Sequence, residues 1–368
     1  YATISGVISG TGNIGKQGGG PLILGDANTY SGNTILRSEQ LIVSSIGANL
    51  ATASSLGTNV SGGWLELGNP GGGNSVTLTY AGPGEVATRA IYLSGTTGSR
   101  RIEASGSGPL TLTNVINTNS TNGLTALTST NNRQLELRGV NTDLNTISSV
   151  LANSAANQAL RVYKADQGLW VLTGANTYTG ATRVDGGSLG FASTAAMGSR
   201  PNAGGTVNVV TNTKTITLAT GNTTGLAVGT YVNGPGLGFG DTVAGVTNST
   251  TFTITASGNR TMVAGHPIVF GGLMLSNGAV FSTDPAGLTV TQPIIINNNS
   301  TGAFTGTAPV TVNANLYKVQ GGNDITFSNS LENGALLTIN GDYVSWQNDS
   351  TLTTRTLNIR GLGAGTVW

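Results

Sequence analysis

The stretch TGANTYTG at 173–180 decides how this chain is read, because residues 25–32 carry a near copy, GDANTYSG. Neither copy holds a catalytic side chain. What repeats is turn chemistry, since Gly and Asn mark tight bends between short extended runs. Aligning Tyr30 with Tyr178 places Leu24 on Leu172, Asn28 on Asn176, Gly32 on Gly180, Thr34 on Thr182 and Leu41 on Leu189. Each copy reads as strand, ANTY turn, strand, turn, strand. Outside the phrase, TISGVIS at 3–9 matches TISSVLA at 146–152, and QLELRG at 134–139 matches TLNIRG at 356–361. Units this small cannot bury a core alone and must stack. The pattern predicts a β-solenoid of parallel strands, with coils of about 20–25 residues spaced roughly 4.8 Å apart.

Composition agrees with that class. Charged residues are 8% of the 368 positions, Gly contributes 57, and hydrophobic residues reach 38%. Low charge with abundant Gly would suit disorder, but apolar residues alternate in runs such as TITL, TFTIT and LELRG, as in half-buried strands. Examples include PLIL (21–24), WLEL (64–67), VTLTY (76–80), LWVLTG (169–174) and GLMLS (272–276). Helical spacing is absent. A net charge of +1 gives no field for nucleic acid or anionic lipid. Without cysteine, disulfides and thiolate metal sites are excluded. No apolar run reaches the length of a membrane-spanning helix.

One segment breaks the rhythm. Residues 211–270 hold turns such as GPGLGFGD and TNST between strands that read as hairpin-connected. The expected organisation is solenoid over 1–210, a small antiparallel β module inserted at 211–270, and solenoid again over 271–368. Removing the insert leaves about 13 to 15 coils and a rod on the order of 60–70 Å.

The segment LTGANTYTGATRVDGGSLGFAS at 172–193 resembles the autotransporter-associated β-strand repeat of bacterial passenger domains. LILGDANTYSGNTILRSEQLIVSS at 22–45 is similar to it, and TISGVISGTGNIGKQGGGPLIL at 3–24 resembles the coil that precedes that repeat. The resemblance implies a right-handed parallel β-helix, export, and a place on or outside the cell. It implies no catalytic residues, because the repeat is a scaffold unit.

An enzyme is the rival reading, since polysaccharide-cleaving β-helices need clustered carboxylates. Here Glu66, Glu103 and Glu136 sit singly in strands, and Asp26 and Asp185 sit at turns. His266 is the only histidine, too few for a His-rich metal site, and a Ser-His-acid triad would need a nucleophile elbow that the sequence lacks. GGNDITF at 321–327 is one lone copy of a Gly/Asp-rich, calcium-like run, and GPGLGFG at 234–240 lacks a following helix for a phosphate loop. Asn119, Asn248 and Asn299 head acceptor sequons that arise by chance in so Thr- and Asn-rich a chain. No cofactor and no metal is expected. Trp64, Trp170 and Trp346 read as core or near-core. Tyr30 and Tyr178 read as a turn plug or stacked ladder, with a sugar-stacking ridge as the alternative.

The termini repeat the same order: RG, spacer, TISxV would continue from Trp368 into Tyr1. Neither end carries a charged cap. The sequence therefore predicts a subunit interface at Tyr1, Ile4, Val7, Val367 and Trp368, stacking chains head to tail into a fibre. An excised segment of a longer passenger, such as an adhesin, is the alternative. The functional expectation is a non-enzymatic extracellular structural protein, contacting itself, polysaccharide or a cell surface. Its rival is a carbohydrate-binding or carbohydrate-cleaving β-helix.

Overall fold

Short apolar runs broken by Gly and Asn produce strands of two to seven residues, each turning sharply into the next side of a coil. The computed structural model describes residues 1–116, 133–346, 357–360 and 366–367, apart from 26, 48–51, 59, 61–62, 70–71, 96, 156, 201 and 320–322. Alternation sets which side faces in. In Leu110–Leu112 and Ile325–Leu331 every second residue is buried, as a period-two ladder requires. Leu41, Leu78, Ile102 and Leu137 stack in register from strand to strand and belong to one core that runs from Leu24 to Ile339.

The coils have three sides. Side one is a ladder of twelve parallel strands from Ala2–Ile4 to Tyr343–Ser345. Side two carries nine, from Glu85–Ala87 to Leu357–Arg360. Side three is split into five strands, Ile14–Lys16 to Val115–Ile116, and four, Leu288–Val290 to Thr366–Val367. The chain is a parallel β-solenoid. It has twelve described coils on side one, fewer than 13 to 15, because coil length is not constant. The step from Leu22 to its neighbour Leu41 is short, whereas those from Leu41 to Leu78 and from Ile102 to Leu137 are nearly twice as long. At the parallel spacing the rod is about 50–60 Å long.

The two ANTY copies occupy different sides. The first leaves side one at Leu22–Leu24, crosses the position of side two, and enters side three at Thr34–Leu36. The second leaves side two at Leu169–Leu172, crosses side three, and enters side one at Thr182–Val184. The phrase is therefore a whole strandless side, not a corner. Leu24 and Leu172 share a local environment but lie in different sheets.

From Gly205 to Phe270 pairing becomes antiparallel. These strands bury their own core, including Val207, Ile216, Leu218, Val243, Phe252 and Phe270. The antiparallel block thus begins ahead of residue 211. Arg200 Nε donates to the Phe270 carbonyl at 2.8 Å, so its two ends lie side by side. The excursion leaves the ladder unbroken: Val184 pairs directly with Leu275.

Candidate functional site

The repeated turn is an inter-coil tie. Asn28 accepts from Ile8 N at 2.8 Å and donates to the carbonyls of Gly25 (3.0 Å) and Ser55 (2.9 Å). Asn176 accepts from Leu151 N and donates to the Ala196 carbonyl, both at 2.7 Å. Each asparagine so joins the coil before it to the coil after it, satisfying backbone groups that a strandless side would orphan. The hydroxyls of Tyr30 and Thr34 share a 2.6 Å hydrogen bond, and those of Tyr178 and Thr182 a 2.5 Å one. Both tyrosines are 1% exposed, so they plug the coil and offer no ring to a sugar. Burial raises the pKa of each phenol. Gly32 and Gly180 face the preceding coil's backbone, where a Cβ would lie 2.2 Å from Gly12 O and 2.3 Å from Leu160 O. Asn28, Tyr30 and Gly32 act together in the second coil, and Asn176, Tyr178 and Gly180 in the seventh.

Sequence reading missed the glycines that complete these ties. Gly57 and Gly198, at φ +74 and +82, lie over the rings of Tyr30 and Tyr178, leaving no room for a Cβ. Thr58 N and Ser199 N then donate to the carbonyls of Tyr30 and Tyr178, each at 2.9 Å. The signal was the pair SSLGT (54–58) and AAMGS (195–199), which follows each tyrosine by one coil. A second missed feature is buried lysine. Lys164 Nζ donates to the carbonyls of Ala165, Asp166 and Gly186, and Lys16 Nζ to those of Gly18 and Ser38.

Stacking gathers acids that are scattered in sequence on the outer surface of side one. Glu136 Oε2 lies 2.9 Å from Arg101 Nε, and Arg138 Nε lies 3.4 Å from Glu136 Oε1 and 3.5 Å from Asp166 Oδ2. Glu103 accepts from Thr79 and Ser105. Asp185 is held by Arg183, and by the Tyr163 hydroxyl at 2.8 Å. Burial pushes the pKa of Glu85 upward, and its carboxylate accepts from the backbone amides of Ile46 and Gly47. Glu66 accepts from Ser94. This is the geometry of a neutralised polar surface, not of a general acid beside a general base. Among the described residues no three His, Asp or Glu side chains group to hold a metal ion.

The insert docks onto this surface. Ala159 N donates to Val228 O at 2.9 Å and Val228 N to Asn157 O at 3.0 Å. The Arg161 guanidinium sits 5.4 Å from the Tyr231 ring centre, and that of Arg183 lies between Phe239 (4.7 Å) and Tyr163 (5.3 Å). The GPGLGFG turn thus places Phe239 on Arg183. Burial opposes the Arg183 charge, but Asp185 outweighs it and raises the pKa. Arg183→Ala should loosen this clasp by about 0.5–2 kcal/mol. Limited proteolysis is the check: cleavage within 205–270 should accelerate while the remaining coils resist. Unchanged cleavage would show that Arg183 does not hold the insert.

Other positions fall as follows. Trp170 is fully buried in the core. Trp64 is half-buried and meets Tyr92 edge-on at 6.0 Å. Trp346 lies outside side one, stacked on Tyr317 at 4.3 Å. His266 Nδ1 accepts from Val263 N at a turn of the insert. Tyr1, Ile4 and Val7 are exposed by 90%, 40% and 64%, and among the described residues strand Ala2–Ile4 pairs only with Leu22–Leu24. Strand Thr366–Val367 pairs with Leu337–Ile339 on side three. The Val367 side chain, Trp368, Asp26, Asn119 and the glycines of GGNDITF lie outside the described residues.

Residues 15–67 and 162–190 match the passenger-associated-transport-repeat family. Both matched segments contain an ANTY tie. Over 159 residues, 43% of this chain, the sequence is 33% identical to a curated protein of Brucella suis biovar 1 (strain 1330), "Adhesin BmaC autotransporter". The chain spans about 4% of that relative's length. No solved structure matches.

Proposed function

We propose that this chain, an autotransporter passenger-repeat protein, is a stretch of extracellular, non-catalytic β-solenoid that presents an adhesive surface. One observation carries the reading: the two segments that match the passenger repeat are the two places where Asn28 and Asn176 lace successive coils together. Their polar groups are spent on the scaffold. Contact with partners is left to the outer side chains of side one and to the insert. Beads coated with the chain should adhere to host cells or matrix, and antibodies against it should label intact producing bacteria. Labelling only after permeabilisation, or adhesion no greater than with denatured chain, would overturn the reading.

The same scaffold supports end-to-end assembly. The free edge of Ala2–Ile4, with Tyr1, Ile4 and Val7 beside it, accepts a further parallel coil, whether from the same polypeptide or from a second copy. Micrographs at rising protein concentration should show rods lengthening in steps of about 50–60 Å. Isolated rods at every concentration would eliminate stacking between copies.

A further inference from the structure

Where the insert leans over side one it leaves a cleft of about 290 Å³, at the low end of ligand-sized pockets. Thr97, Gly98 and Arg161 form the solenoid wall; Thr242, Ala244 and Thr255 form part of the opposite one. Among the described residues that line it, Arg161 is the only charged one. Its Nε is buried and has no hydrogen-bond partner among the described residues, and its guanidinium is positioned over Tyr231. The nearby acids are already engaged: Glu136 with Arg101 and Arg138, and Asp241 with Arg260 at 2.7 and 2.8 Å. The cleft therefore offers a guanidinium that has no ion pair among the described residues, set beside threonine hydroxyls and glycine backbone.

We propose that this cleft binds an acidic saccharide, with Arg161 taking the sugar carboxylate and the threonines its hydroxyls. A guanidinium forks onto a carboxylate with paired N–H donors, and short hydroxyls on a rigid sheet suit a hydroxyl-rich ligand. An acidic peptide fits less well, because an extended peptide binds by adding to an open strand edge. The solenoid strands beneath, Ser99–Ala104, Arg133–Arg138 and Leu160–Lys164, are paired on both sides. On the insert side, Val243 already bonds to Gly229 and Thr230. The assignment rests on the adhesive reading and gives it a ligand class.

The test is an array of neutral, uronic-acid-bearing and sialylated oligosaccharides probed with the whole chain, with polyglutamate on the same surface. Carboxylated sugars should bind, and their methyl esters and the neutral sugars should not. Arg161→Gln should weaken binding at least tenfold. Because Arg161 also packs on Tyr231, Ala244→Trp fills the cleft from its exposed far wall and should do the same, with the circular dichroism spectrum unchanged. Binding to no carboxylated sugar, binding indifferent to both substitutions, or equal binding to polyglutamate would each overturn the proposal. If the array is silent while coated beads still adhere to cells, the adhesive reading survives and the cleft assignment alone falls.

Discussion

Asn176→Leu is expected to cost about 2–6 kcal/mol, because two buried backbone groups lose their partner at once and each such loss costs about 1–3 kcal/mol. Leucine keeps the branched outline of asparagine, and its bulkier methyls add some crowding to the loss. What is removed is the acceptor for Leu151 N and the donor to Ala196 O. No strand on this side of the coil supplies a replacement, and water is excluded where Asn176 is 5% exposed. Asn28→Leu should behave alike, with Ile8 N and Ser55 O as the abandoned groups. A solenoid is held mainly by neighbour-to-neighbour terms, so the loss should be local as well as global. Urea unfolding followed by circular dichroism gives the total. Hydrogen exchange at the Leu151 amide gives the site, and its protection should fall more than that of the inward strands. A loss under about 1 kcal/mol with Leu151 still protected would mean the asparagine is not a structural tie.

That tie marks how far the sequence could be read. Alternation and the doubled ANTY phrase were enough for a stacked parallel architecture, because both depend on local spacing. The side each copy would occupy was not legible. All three sides of a coil run as parallel ladders, so the same strand–turn–strand unit fits equally across side two or side three. Gly57 and Gly198 escaped notice because one follows its tyrosine across a longer coil than the other, which hides the correspondence in a linear alignment. The acids looked scattered for a related reason. Glu136 and Tyr163 are far apart in the chain and adjacent in the ladder, and only the register reveals it. Docking of the insert was beyond reach of any local signal, since Arg161, Arg183, Tyr231 and Phe239 meet only once two separate cores have formed.

Stability should rise with pH from about 8 to about 10 and fall above it, through two opposed sets of buried groups. Lys164 is wholly enclosed. Burial lowers its pKa to about 8, with Asp166 opposing the shift and Arg138 adding to it. In the unfolded chain the same group titrates near pH 10.4. Between those values the unfolded state holds the proton more tightly, so raising the pH favours the fold. The gain is on the order of 3 kcal/mol when complete and is lost as pH falls back through 8. The tyrosines act in the opposite sense. Burial raises the pKa of Tyr178, and burial together with Asp185 raises that of Tyr163. Unfolded tyrosine ionises near pH 10 while these remain protonated, so their contribution is intact below pH 10 and declines as pH climbs towards their folded values. Melts from pH 7 to 12 at fixed ionic strength should therefore peak near pH 10. Lys164→Met leaves three carbonyls without their donor and lowers stability throughout, yet its diagnostic effect is on the slope: the rise between 8 and 10 should vanish. Tyr178→Phe should instead soften the fall above 10. A wild-type curve already flat or descending between pH 8 and 10 would contradict the lowering of the Lys164 pKa by burial, because it would mean that the three carbonyls hold the ammonium at least as firmly as water does.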